Sequence, residues 1–83
     1  GYNVTGNGSN TTTIGNSSIT DNYFNGKTHT TSSMQVGDDA TAASSANVGA
    51  IRYRAYSNNS YCEMVMQTGA STYAWVVIKQ NTW

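Results

Sequence analysis

Residues 48–54, Val-Gly-Ala-Ile-Arg-Tyr-Arg, and the runs 61–68 and 72–77 hold the densest strand-forming residues of the chain and its most regular alternation. Turn-forming residues separate them, Ser57-Asn58-Asn59-Ser60 at the first join and Gly69-Ala70-Ser71 at the second. Alternation of period two with a turn at each join predicts three antiparallel strands in a meander. Ile51, Tyr53 and Ala55 then share one face of the first strand, and Arg52, Arg54 and Tyr56 the other. In the second strand Cys62, Met64 and Met66 form the more apolar face, against Tyr61, Glu63, Val65 and Gln67. In the third, Tyr73, Trp75, Val77 and Lys79 alternate with Ala74, Val76, Ile78 and Gln80. Both of its faces are apolar from Trp75 to Ile78, which predicts either a central strand or one covered by a neighbouring subunit.

Upstream the texture changes. Residues 1–33 offer Tyr2, Val4, Ile14, Ile19, Tyr23 and Phe24 as large apolar groups, separated by stretches such as Asn7-Gly8-Ser9-Asn10-Thr11-Thr12-Thr13. No helical stripe passes through them. Apolar residues followed closely by Gly recur as Val4/Gly6, Ile14/Gly15, Phe24/Gly26, Val36/Gly37 and Val48/Gly49, spaced 10, 10, 12 and 12 residues apart. Short strand-and-turn units stacked on copies of themselves would produce this spacing, and so would a flexible Ser/Thr/Asn linker. Met34-Gln35-Val36 reads as a short strand, Gly37-Asp38-Asp39 as a turn, and 40–47 as a small-residue connection with room for one helical turn at 41–46.

Ser, Thr and Asn fill 32 of the 83 positions, and four basic residues balance four acidic ones. Zero net charge removes the electrostatic case for nucleic acid. No run approaches the length of a membrane helix, and no basic-then-apolar leader opens the chain; a start at Gly1 rather than Met reads as a processed product or a piece of something longer. Six Tyr, two Trp and one Phe set the chain apart from ordinary disordered sequences. Cys62 is alone, so no disulfide can form within the chain, and so small a domain then draws stability from subunit association.

The segments Met34-Gln35-Val36-Gly37-Asp38, Ser44-Ser45-Ala46-Asn47, Gly49-Ala50-Ile51-Arg52-Tyr53, Tyr61-Cys62-Glu63-Met64, Gly69 and Trp75-Val76 occur in an order that resembles the C-terminal parts of bacteriophage tail fibres and related virion appendage proteins. The likeness covers residues 34–77. It departs at Arg54, where that family commonly has a polar residue such as Asn, and in the longer final turn. The resemblance implies a β-rich homotrimer exposed on a virion or extracellular surface; joined to the reading of the residues, it gives an all-β chain with a shaft-like segment at 1–33 and a β-meander head or tip at 34–83. Its implied partners are itself, other fibre or virion proteins and a host surface glycan. A monomeric carbohydrate-binding module and a pilus-tip or surface-appendage subunit are the alternatives.

Chemistry is sparse. Asp21, Asp38, Asp39 and Glu63 are the only carboxylates, and adjacent Asp38 and Asp39 point apart in an extended chain, which argues against a hydrolytic acid–base pair. His29, the only histidine, reaches a metal-ligand set solely if a threefold axis gathers three copies, so no metal or cofactor is expected. Cys62 lies among aromatic and Met residues with no nearby base and reads as a small packing residue. Arg52 and Arg54 suit a cross-strand ion pair with Glu63 or, together with Tyr56, an acidic sugar. Tyr56, Tyr73 and Trp83 are the aromatic candidates for glycan contact. Ile51, Tyr53, Met64, Met66, Val76 and Ile78 are the candidates for buried or intersubunit packing, with Tyr53 and Trp75 assigned to packing as well.

Overall fold

The computed structural model describes residues 4–83; Tyr2 lies outside them. The described residues form an all-β protein without a helix. Three strands, β1 (Ile51–Tyr56), β2 (Asn59–Gln67) and β3 (Tyr73–Thr82), make one antiparallel sheet in the order β1-β2-β3. The chain divides into two compact units, Gly1–Thr31 and Ser32–Trp83.

The first join is tighter than its sequence implies. Asn59 and Ser60 already pair with Tyr56 and Ala55, which leaves Ser57 and Asn58 as a two-residue loop. Ser57 takes φ 56° while Asn58 keeps a negative φ, the pattern of a type II′ hairpin turn. The second join closes when the Thr68 amide donates to the Thr72 carbonyl at 2.8 Å.

In β3 the regular alternation breaks. Cys62 pairs with Lys79 but Glu63 pairs with Val77, so Ile78 is an extra residue at a β-bulge. Beyond the bulge the parity reverses. Gln80 and Thr82 join the face of Trp75 and Val77, and Lys79 moves to the face of Val76, which corrects the assignment of Lys79 and Gln80 by simple alternation.

The sheet therefore has one face with Arg52, Arg54, Tyr61, Glu63, Val65 and Trp75, and another with Ile51, Tyr53, Cys62, Met64, Met66 and Val76. The chain buries the first. Val65 is fully buried and Glu63 is 3% exposed. The cover is backbone from the preceding connection: the carbonyl of Asp39 accepts from Arg52 at 2.7 Å, and that of Thr41 accepts from the Trp75 indole at 2.9 Å. Gly37 also touches the sheet, its carbonyl accepting from the Tyr53 amide at 3.1 Å along the outer edge of β1.

No strand forms at 34–36, and no helical turn at 41–46. Asn47 organises that connection instead, accepting from the Ser44 amide at 2.8 Å and donating to the Ala42 carbonyl at 3.2 Å. A side chain that bonds nearby backbone offers the chain an alternative to helix, which explains the loss.

In the first unit, residues 4–31 contain turns but no strand. Gly15 takes φ 85°, and a Cβ there would come within 2.8 Å of the Ile19 side chain, so glycine is needed for both conformation and packing. The Ile19 amide closes the same turn on the Asn16 carbonyl at 3.1 Å. Gly8 and Gly49 also have positive φ, whereas Gly6, Gly26 and Gly37 do not, so the apolar-Gly spacing coincides with left-handed turns only at Gly15 and Gly49.

Candidate functional site

Charge on the covered face is concentrated on three side chains from two strands. Arg52 and Arg54 flank Glu63 because alternate residues of β1 fall on one face and the register sets Arg52 directly opposite Glu63. Arg52 donates through Nε to Glu63 Oε1 at 2.8 Å. Arg54 grips the same carboxylate at two points, Nε to Oε1 at 3.0 Å and Nη2 to Oε2 at 3.3 Å. Both guanidinium planes also lie over aromatic rings, Arg52 over Trp75 at 4.0 Å and Arg54 over Tyr61 at 4.1 Å.

Electrostatics follow from this geometry. The two-point hydrogen bonding of Arg54 lowers the Glu63 pKa most; burial opposes the shift, and Arg52 reinforces it. Glu63 in turn raises the pKa of Arg54. Asp39 is held low as well, chiefly by the Thr41 amide donating to its carboxylate at 2.9 Å. The ion-pair reading of Arg52 and Arg54 is thereby realised. Arg52 is nearly used up by Glu63, Asp39 and Trp75, whereas the Arg54 side chain remains 33% exposed.

Next to Arg54, the same face continues past the covering connection as a polar grid. The register lines up Arg54, Tyr61 and Gln80 in one row and Tyr56, Asn59 and Thr82 in the next. Gln80 and Thr82 both donate to Asn59 Oδ1, at 3.0 and 2.6 Å, which fixes the amide oxygen inward. Three strands and two rows span about 10 by 7 Å, near the footprint of a sugar ring or two. Tyr56 stands 72% exposed at its corner. Trp83 lies at the same end of the sheet, its amide donating to the Asn58 carbonyl at 2.9 Å. Tyr73 does not join them. It pairs with Gln67 at the far end of β2, about 27 Å away, so the three aromatic candidates cannot form one platform.

The opposite face holds the packing candidates together. Within one chain none of Ile51, Tyr53, Met64, Met66, Val76 and Ile78 is buried; the residues the chain itself buries are Val65 and Glu63. Ile51 is 45% and Tyr53 49% exposed, and Ile78 stands out at the bulge beside them. Two shallow hollows open here, one of about 180 Å³ between Tyr53, Ser60, Cys62, Lys79 and Asn81, the other of about 320 Å³ between Tyr53 and Met34, Gln35 and Val36. Cys62 is exposed rather than packed. His29 is exposed in the first unit, and among the described residues no three acidic, His or Cys side chains gather as a metal site.

Sequence reasoning found the arginines but missed Tyr61 and Gln80. Tyr61 was legible as a cross-strand neighbour of Arg54; Gln80 was hidden by the bulge. No family model matches the chain, and no curated protein and no solved structure matches it.

Proposed function

We propose that the chain is a structural segment of an extracellular or virion fibre that assembles as a homotrimer through the uncovered face of its sheet. One observation carries this reading: Ile51, Tyr53, Met64, Met66 and Val76, with Ile78 at the bulge beside them, share a face on which the chain leaves every one of them exposed or half-buried, while Val65 is the only buried apolar residue among those described. A domain with so small a core needs further apolar burial to be stable, and subunit contact supplies it. The first unit serves as the polar shaft-like part, its turns completed into strands by the matching stretches of other copies. The tail-fibre resemblance of residues 34–77 points the same way.

In this reading the fibre presents a surface to a host glycan at the end of the sheet near the Ser57–Asn58 turn. Arg54, Tyr56 and Gln80 are the contacts, offering a cation, a stacking ring and an amide to an acidic sugar. Saturable binding of such a sugar, lost in Tyr56→Ala, is expected; undiminished binding by that variant would remove the site. A monomeric carbohydrate-binding module is the second reading, favoured by the same grid, and assembly separates the two. Ile51→Asp places a charge on the open face without touching the covered one, so the variant should keep its strand content by circular dichroism and fall to the mass of a single chain. An Ile51→Asp chain that retains the assembly would overturn the trimer interface.

A further inference from the structure

The chemistry of β3 does not suit its place in the sheet. Strands with apolar residues on both faces are ordinarily enclosed by neighbours. From Tyr73 to Ile78 β3 is such a strand, yet the order β1-β2-β3 leaves it at an edge. The direction of its backbone groups follows from the ladder. Val65 sends both its amide and its carbonyl toward the β1 side, to Ala50 and Gly49, so odd-numbered residues of β2 serve β1 and even-numbered ones serve β3. The even residues Met64 and Met66 pair with Val76 and Ala74. Tyr73, Trp75 and Val77 consequently aim their amides and carbonyls away from the sheet, and among the described residues no backbone group meets them.

Proteins blunt such edges with Pro, with charge, or with a covering segment. In β3 the devices come late: the bulge is at Ile78 and the one charge at Lys79, so the stretch Tyr73–Val77 has neither. The other edge of the sheet is treated differently. Along β1 the chain lays its own Gly37, whose carbonyl takes the Tyr53 amide, and exposes Met34 beside it. One side of the sheet is thus open and apolar, and the other is met at Tyr53 by Gly37 of the same chain.

We infer that the outer edge of β3, Tyr73 to Val77, is a strand-pairing site for a second copy of this chain, joined head to tail to the side of the sheet where residues 34–37 run along β1. Unlike edges on opposite sides make a heterologous contact, which closes into a ring or extends into a fibre, whereas β3 meeting its own copy across a twofold axis would stop at two chains. The edge is continuous with the open face, so one neighbour covers both Val76 on that face and the backbone beside it. The inference rests on the fibre reading and names how its subunits are joined.

Val77→Pro tests it in the full chain. The substitution removes an outward amide and leaves the pairs of Ala74 and Val76 with β2 intact, which an edge strand tolerates. V77P should keep the folded circular dichroism spectrum while its mass in solution falls to that of one chain. Hydrogen exchange reads the same edge without altering it: the amides of Tyr73, Trp75 and Val77 should exchange slowly in the assembled unmodified protein and at least tenfold faster in the folded single chain of Ile51→Asp. Fast exchange at those amides in an assembled protein overturns the inference, as does a V77P chain that still assembles. If V77P assembles while Ile51→Asp does not, the edge fails and the face interface stands; if the unmodified chain is a monomer at every concentration, both fail.

Discussion

At the scale of the residue, Glu63 is the point on which the covered face balances. Its carboxylate is nearly buried between two guanidinium groups, so removing its charge leaves two cations with one neutral partner. Glu63→Gln should cost about 3 kcal/mol, the range for breaking a buried pair from one side. The pH dependence has a definite sign. The folded pKa of Glu63 lies below its ordinary value of 4.5, so its stabilisation is complete above that pH and is lost as pH falls through the lowered value. Urea midpoints measured from pH 6 downward should therefore drop below about pH 4.5 in the native chain. In Glu63→Gln the drop should shrink to the remainder set by Asp39, whose pKa is shifted in the same direction. An equal drop in both proteins would show that Glu63 does not carry the acid sensitivity. The pairing itself was legible, because period-two alternation alone allows Arg52, Arg54 and Glu63 to meet on one face of the sheet. What meets them from the preceding connection was not, since Arg52 and Trp75 donate there to the backbone carbonyls of Asp39 and Thr41, groups that every residue possesses.

At the scale of the element, the meander was readable and its irregularities were not. Alternation and turn residues mark the three strands. The bulge at Ile78 left no trace, because Val76, Val77 and Ile78 are apolar on either parity and an extra residue among them changes no visible pattern. Counting apolar residues marks Cys62, Met64 and Met66 as the more apolar face, whereas the residues the chain itself buries are Glu63 and Val65 on the other. The first hairpin provides a sharper test of local geometry. Ser57 occupies a left-handed position at φ 56°, where a side chain costs about 1–2 kcal/mol and glycine costs little. Ser57→Gly should raise stability by about 1 kcal/mol, seen as a higher denaturation midpoint, with the strand register unchanged. A lower midpoint would mean that the serine hydroxyl contributes more than its backbone costs.

At the scale of the whole molecule, the unit Ser32–Trp83 has a small core of its own and an apolar face and strand edge left open. The unit Gly1–Thr31 has turns, and its described residues have no strand, while Ile14, Tyr23 and Phe24 stand exposed. Strands need neighbours to bond with, and no strand of the apolar-Gly spacing forms among the described residues of this unit, which is the outcome for a single copy of a stacking unit and for a linker alike. Both observations bear on the proposed assembly, and the molar mass of the purified 83-residue chain by light scattering across a dilution series tests it most directly. The expected result is a mass of three chains that holds over the series and falls to one chain in Ile51→Asp. A native chain that stays monomeric at every concentration and still melts cooperatively would contradict the central claim, and would make the Arg54–Tyr56–Gln80 surface the business of a lone sugar-binding module.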